Sequence, residues 1–165
     1  MIILGIDPGL ATIGYGVIST NGNGKYKLNK YGWIKTSPKI SHFERLNSIY
    51  IQTREVIKEH KPDTIALERL FFYNNSKTAM NVSQAMGVMK LAIFHEKIES
   101  VEYPPLKMKV VLTNDGRAKK EDVKRHIKRL LHISAPKNKK THFDDAADAL
   151  GIAICHARIC LEERG

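Results

Sequence analysis

Three apolar segments separated by turn signals fill the first 36 residues, and this pattern constrains the fold more than any other feature. Residues 2–7 (IILGID) form a short apolar run that ends at a Pro-Gly pair, and residues 13–20 read as a second extended segment. The tract 21–24 (NGNG) predicts a hairpin turn, because glycine and asparagine accept positive φ angles. A third strand is predicted over 25–36. The chain is therefore predicted to begin with an antiparallel three-stranded meander.

The rest of the chain alternates helical and extended segments. Ser41 and Glu44 have the S-x-x-E spacing of a capping box, which predicts a helix that starts there and stops at Lys61-Pro62. The later segments are predicted as a buried strand, a helix, a fifth strand and two further helices: 63–68, 76–97, 98–103, a segment around Val123 to Leu131, and a last one from Phe143 to about Glu163. Five strands interleaved with helices indicate an α/β fold with a mixed sheet. At roughly 150 residues per domain, residues 1–165 are predicted to form a single domain.

The charge balance narrows the classes of partner. Lys and Arg number 27 against 17 Asp and Glu, a net charge of +10, which favours a polyanion such as nucleic acid or an anionic membrane surface. A membrane-spanning protein is excluded, because no apolar stretch approaches the roughly 20 residues needed. The first residues lack the basic start and apolar length of a signal peptide, so a cytoplasmic protein is expected. Cys155 and Cys160 have no histidines at ligand spacing, which favours buried, reduced thiols over a zinc site or a disulfide.

Within this basic chain, a few acidic residues occupy informative positions. Asp7 ends the first predicted strand, Glu68 ends the fourth, and Asp148 lies one turn inside an alanine-rich helix. Because positions three and four apart share a helix face, Asp148 lies on one face with either Asp145 or Asp144. Such carboxylates repel one another unless a cation lies between them, and oxygen ligands are what Mg²⁺ requires. Two such ions about 3.5–4 Å apart can activate water and stabilise the leaving oxygen in phosphodiester hydrolysis.

Each acidic residue also has a structural alternative. Asp-Pro-Gly is a common turn, and a glutamate at a strand end is often an ordinary surface charge. Asp144 and Asp145 near a helix start are favourable to the helix dipole and could serve as caps. The metal-site hypothesis therefore depends on the acidic residues taken together with the basic loops, while the alanines 146, 147 and 149 would let the helix approach the sheet closely.

Three segments match a known family in their order and spacing. They are ILGIDPGLATIGYGVI at the start, ALERLFFYNNSKTAMNVSQAMGVM in the middle and DDAADALGIAI near the end. These segments resemble the RuvC family of Holliday-junction resolvases, over roughly residues 2–160. The resemblance implies a ribonuclease-H-like fold, a homodimer and a structure-selective endonuclease that nicks a four-way DNA junction symmetrically. It further implies Mg²⁺, two ions per subunit with Mn²⁺ as a substitute, and a branch-migration complex as a partner.

The resemblance also assigns roles to individual residues. The catalytic and metal-binding carboxylates correspond to Asp7, Glu68, Asp145 and Asp148, which selects Asp145 over Asp144. Two catalytic lysines correspond to Lys107 and Lys120, and Lys119 competes with Lys120 because this chain is slightly longer there. The implied DNA-binding residues are Arg69, Phe71, Phe72, Tyr73, Lys77, Lys119 and Lys120. Phe71 fits the family aromatic that acts against junction bases, although one aromatic of the run is expected to anchor the loop in the core.

The second helix carries a stripe of small residues, Ala79, Ser83 and Gly87, spaced by four. Such a stripe in a soluble protein more often packs against a sheet than against a partner. Because the resemblance implies dimerisation through helices of this region, a two-fold interface is the alternative.

Three other functions remain open. The same carboxylates would serve a nuclease for RNA–DNA hybrids, which a comparison of hybrid duplex with four-way junction would distinguish. Asp7-Pro8-Gly9 with Gly14 and Gly16 also resembles the phosphate-binding hairpin of actin-like ATPases and sugar kinases, although those need two such domains. A non-catalytic nucleic-acid binder is the third, but it would leave the acidic cluster without a use.

Overall fold

The computed structural model describes residues 1–69, 76–133 and 143–162, apart from the side chains of 76–78, 143–145 and 161–162. The strands within these ranges are β1 (Ile2–Asp7), β2 (Thr12–Thr20), β3 (Tyr26–Lys35), β4 (Thr64–Glu68) and β5 (Ser100–Tyr103). The helices are α1 (His42–His60), α2 (Ser76–His95), α3 (Pro105–Thr113), α4 (Lys120–Leu130) and α5 (Phe143–Glu162).

The strands form one mixed sheet in the order β3-β2-β1-β4-β5. The first three pair antiparallel, whereas β4 pairs parallel to β1 and β5 parallel to β4. Gly22 and Gly24 in the first hairpin have φ angles of 86° and 76°, the left-handed conformation that the NGNG tract predicted. The five-stranded mixed sheet flanked by helices and the opening meander are thus confirmed.

The bounds of α1 follow from local chemistry. The Glu44 backbone N–H donates to Ser41 Oγ at 3.2 Å, and the Ser41 backbone N–H donates to Glu44 Oε2 at 2.7 Å. These two bonds form the predicted capping box. Lys61 ends the helix in the left-handed region, with φ of 45°.

The short helix α3 was not predicted as a separate element. The Pro104-Pro105 pair was interpreted as the end of β5, but Pro104 is also the N-cap residue of α3. The N–H groups of Lys107 and Met108 donate to the Pro104 carbonyl at 2.9 and 3.2 Å. Proline starts a helix well because the N–H it lacks would have no partner inside the helix there.

Helices cover both faces of the sheet. Helices α1 and α2 pack on one face over alternate strand residues such as Leu4 and Ile65. Helix α5, with α3 and α4 beside it, covers the other face over residues such as Ile3 and Ala66. Side chains alternate between the two faces along each strand, so every second residue of β1 and β4 points toward α5.

Helix α5 lies unusually close to the sheet. A Cβ atom on Gly5 of β1 would come within 2.0 Å of the Ala149 carbonyl oxygen and 2.9 Å of the Ala153 nitrogen. Ala146, Ala147 and Ala149 are fully buried, as the small residues of this helix predicted. The close contact places the first turns of α5 over the end of β1.

The small-residue stripe of α2 does not face the sheet. Ser83 and Gly87 are exposed, and a Cβ on Gly87 would meet nothing within 4 Å. The buried face of α2 is instead formed by Ala85, Met86, Met89, Ala92 and Ile93. Packing of the stripe against the sheet was therefore the wrong interpretation, because the larger apolar side chains fill the core on the opposite face of the helix.

Two smaller points complete the fold. Cys155 is buried, Cys160 is partly buried, and neither forms a disulfide. Within the three described ranges, no helix combines the length and the apolar character needed to cross a membrane.

Candidate active site

Two carboxylates meet at the ends of neighbouring parallel strands. The register pairs Ile6 of β1 with Leu67 of β4, so the next residues, Asp7 and Glu68, are neighbours. Both side chains point toward the α5 side of the sheet. Asp7 lies two residues after Gly5, which faces α5, and alternate residues of a strand share a face. Their side chains are half-buried and share a hydrogen bond.

A third carboxylate and a lysine join them from two helices. Asp148 lies in the second turn of α5, and Lys120 is the first residue of α4. The Lys120 ammonium donates to Asp148 Oδ2 at 2.5 Å. The charges of Asp148 and Lys120 both act on Asp7 and Glu68. Four elements that are distant in sequence thus contribute to one charged cluster.

Burial and mutual repulsion change the protonation of the carboxylate pair. Burial raises the pKa of Glu68 to about 8, with the negative charges of Asp7 and Asp148 acting in the same direction. Burial also raises the pKa of Asp7, although its hydrogen bond with Glu68 opposes that shift. The pair therefore binds one proton more readily than two isolated carboxyl groups would.

Lys120, rather than Lys119, reaches the cluster. The hydrogen bond to Asp148 raises the pKa of Lys120, and the charges of Asp7 and Glu68 add to that effect. Lys119 is the N-cap residue of α4, and its exposed side chain makes no cap hydrogen bond. One ammonium group thus offsets part of the negative charge, and the shared proton offsets another part.

The donor chemistry of the cluster fits a hard divalent cation. Asp7, Glu68 and Asp148 offer only oxygen ligands, which Mg²⁺ and Mn²⁺ accept. Among the side chains that the structure describes, however, no three acidic, histidine or cysteine groups are arranged to hold a metal ion as they stand. Asp145 belongs to the first turn of α5, but its side chain lies outside the described part.

The remaining predicted residues lie around this cluster or outside the residues that the structure describes. Lys107 is exposed in the first turn of α3, directly after the strand next to Glu68. Arg69 is exposed and follows Glu68, and its backbone N–H donates to the Tyr103 carbonyl at 2.8 Å. Phe71, Phe72 and Tyr73 lie outside the described residues, as does the side chain of Lys77. The roles of all these residues stay predictions.

One residue of this neighbourhood, Trp33, was not predicted. It pairs with Gly14, which itself pairs with Asp7, so Trp33 lies level with the carboxylates on the same face of the sheet. Nothing in the local sequence signals this position, because it depends on the strand register.

Comparisons with known proteins identify the family of the chain. A family model described as crossover junction endodeoxyribonuclease RuvC matches residues 3–156. The chain belongs to the RuvC family. The RuvC of Alkaliphilus metalliredigens is 50% identical over 159 residues, which cover 95% of this chain and 93% of that protein.

Solved structures of the RuvC family share the fold. Thermus thermophilus RuvC in complex with a Holliday junction substrate superimposes with a TM-score of 0.89 at 31% identity, covering 99% of this chain and 96% of that one. A second T. thermophilus RuvC structure gives 0.87 at 32% identity, covering 99% and 97%. The predicted ribonuclease-H-like fold is confirmed.

Proposed function

We propose that this chain is a structure-selective endonuclease that resolves four-way DNA junctions by phosphodiester hydrolysis during recombination and repair. The observation that supports it most is the convergence of Asp7, Glu68 and Asp148 at one end of the sheet, in a chain with a net charge of +10. The positive surface would bind the DNA backbone, while the carboxylates act on the phosphate. The resemblance to a T. thermophilus protein bound to a Holliday junction supports the same substrate class.

The residues that would hold metal are Asp7, Glu68, Asp145 and Asp148. Divalent cations bound there, two Mg²⁺ per subunit or Mn²⁺ in their place, would supply an activated water and stabilise the leaving oxygen. Deprotonation of Glu68 is required first, since a protonated carboxyl is a poor ligand. Lys120 and Lys107 would place positive charge beside the phosphate that is cut.

The surrounding residues would hold the substrate. Arg69, Lys77 and Lys119 are candidates for contacts to the DNA backbone. Phe71, Phe72 and Tyr73 are candidates for stacking against unpaired bases, an interaction worth about 1–3 kcal/mol per base. These contacts would keep the junction strand aligned with the carboxylates.

Paired nicks need two active sites, so we include a homodimer in the proposal. The outward face of α2 supports it, because Met80, Leu91 and Phe94 on that face are 65%, 49% and 73% exposed. A two-fold axis through such a face would present two active sites to opposite strands of one junction. We further propose that residues 1–165 form a single nuclease domain and that the protein acts in the cytoplasm. A branch-migration complex would deliver junctions to it.

The test is incubation of the purified protein with a mobile four-way junction, with and without Mg²⁺, and mapping of both nicks. We expect D7N to abolish cutting while junction binding, measured by fluorescence anisotropy, stays within about twofold of wild type, since one neutralised buried carboxylate leaves the basic surface unchanged. E55Q is the matched control, because Glu55 is an exposed acid on α1, across the sheet from the cluster.

Other outcomes would separate the alternatives. Cutting by D7N at the wild-type rate would contradict the assignment of the carboxylates. Preference for an RNA–DNA hybrid over the junction would favour the hybrid nuclease, and nucleotide hydrolysis would favour the ATPase-like alternative. Binding without any cutting in Mg²⁺ or Mn²⁺ would favour a non-catalytic binder.

A further inference from the structure

A single row of residues crosses the sheet at the level of the active site. Glu68 neighbours Asp7, Asp7 pairs with Gly14, and Gly14 pairs with Trp33 on β3. All four lie on the face that α5 covers, because residues directly opposite each other share a face. Since strands are about 4.8 Å apart, Trp33 lies two strands, or about 10 Å, from Asp7. The position between them belongs to a glycine, which contributes no side chain.

A β-bulge brings Trp33 to this face. From the hairpin turn the register runs regularly to Ile18 opposite Leu28, and then shifts so that Val17 lies opposite Lys30. Without this one-residue shift, Trp33 would lie opposite Ile13, whose side chain belongs to the core beneath α1 and α2. A shift of one residue reverses the face of every later side chain in a strand. The bulge therefore turns Trp33 toward the side of the sheet where the carboxylates lie.

Lys35 accompanies Trp33 on the same face. The two are alternate residues of β3, and the Lys35 Nζ lies 4.9 Å from the centroid of the Trp33 ring. Trp33 is half-buried and Lys35 is exposed. The ammonium lies over the indole ring in a cation–π contact, so the two side chains form one unit. It combines the two groups that bind a nucleic acid strand without reading its sequence, an indole for a base or sugar and an ammonium for a phosphate.

We propose that Trp33 and Lys35 form a DNA-binding site on β3, which holds the cleaved strand beside the active site. The inference rests on the proposed function, because it takes a DNA strand to be bound across the carboxylates. A distance of about 10 Å is short enough for one DNA strand to span within a few nucleotides. A strand with its reacting phosphate at Asp7 would thus bring a base or sugar to Trp33 and a phosphate to Lys35.

The intrinsic fluorescence of Trp33 provides the first test. Trp33 is the only tryptophan of the chain, so the emission of the protein reports on this site alone. The D7N protein, which keeps the junction intact, is titrated with a four-way junction while anisotropy of labelled DNA reports binding independently. We expect the Trp33 emission to change in parallel with binding, and the bound junction to shield the indole from acrylamide at least about twofold, as expected for a stacked ring.

Lysine variants provide the second test and its control. Lys30 lies on the same strand and is exposed, but it pairs with Val17 and therefore lies on the opposite face. K35A and K30A remove the same charge, so both change the long-range field equally. We expect K35A to weaken junction binding at least about fivefold more than K30A, with a smaller slope against salt concentration. We expect W33L to weaken binding by a similar factor and W33F to restore most of it, since the aromatic face is what stacks.

The outcomes separate this inference from the function beneath it. If the junction binds but leaves the Trp33 emission and its quenching unchanged, or if K35A and K30A bind equally, the β3 site is wrong and the proposed nuclease still stands. If the wild-type protein binds no junction at all, the proposed function fails as well. If the W33L protein does not fold, the Trp33 emission of the D7N protein and the comparison of K35A with K30A still test the β3 site.

Discussion

At the scale of single residues, the proton held by Asp7 and Glu68 makes stability dependent on pH. Glu68 titrates near 4.5 in an unfolded chain and at about 8 in the folded protein. The folded state thus binds the proton more tightly, and the free energy of unfolding of the metal-free protein falls as pH rises from about 4.5 to about 8.

We predict that E68Q removes this part of the pH dependence. Glutamine cannot lose a proton, so its contribution stays constant across the range. Urea unfolding of the metal-free proteins at pH 5, 7 and 9 measures the effect, with E55Q as the control for a lost surface charge. Equal slopes for E68Q and wild type would show that the Glu68 carboxyl is ionised throughout.

Lys120 and Lys119 are adjacent and both exposed, yet the structure gives them different surroundings. Only Lys120 contacts Asp148, whereas Lys119 caps α4 with its backbone. We predict that K120A lowers single-turnover cleavage of a junction by about 100-fold, the usual loss when one charge-stabilising donor is removed, and that K119A changes it less than about threefold. A K119A protein as impaired as K120A would contradict the assignment.

At the scale of elements, the contact between α5 and β1 tolerates no added atom. A methyl group at Gly5 would collide with the backbone of α5 at Ala149, and neither backbone can move without disturbing the carboxylates at its end. We predict that G5A destabilises the protein by about 3 kcal/mol, near the upper range for overpacked sites, and also lowers cleavage.

The same substitution at Gly87 is the matched control for Gly5. Gly87 lies in α2, where an added methyl group meets no atom of its own chain within 4 Å. Because Gly87 also lies on the proposed dimer face, the comparison is made on dilute, monomeric protein. We expect G87A to leave stability unchanged or to raise it by about 0.5–1 kcal/mol, since alanine favours a helix interior. Thermal unfolding of both variants measures the difference. A G5A protein as stable as G87A would show that α5 does not lie so close to β1.

At the scale of the whole molecule, the proposed homodimer depends on the outward face of α2. Met80, Gln84, Gly87, Leu91 and Phe94 are all exposed and alternate by four and three residues, the spacing of a helix seam. Met80, Leu91 and Phe94 give this seam exposed apolar side chains, and exposed apolar patches are typical of interfaces.

We predict that F94D converts the protein to a monomer at micromolar concentration and uncouples the two nicks of a junction. A buried aspartate without a partner would be too costly for the interface. Sedimentation velocity measures the oligomeric state, and L106D is the control, because Leu106 is similarly exposed, at 62%, but lies on α3 across the sheet. A dimeric F94D protein would exclude this face as the interface.

Local interactions explain which parts of the molecule the sequence determined by itself. The succession of strands along the chain and the bounds of α1 follow from apolar periodicity, glycine turns and the Ser41 capping box. All of these act within a few residues. The positions of Asp7 and Glu68 at strand ends are local in the same sense. Among the described elements, α3 was not predicted, because a proline pair ends one element and starts the next by the same backbone geometry.

Only the tertiary structure decided how these parts meet. The pairing of Asp7 with Glu68, the approach of Lys120 to Asp148 and the outward direction of the α2 stripe depend on residues far apart in sequence. The bulge between Val17 and Ile18 is the clearest case, since one unmatched residue decides which face Trp33 occupies. Register and packing are properties of whole elements in contact, and no local pattern encodes them.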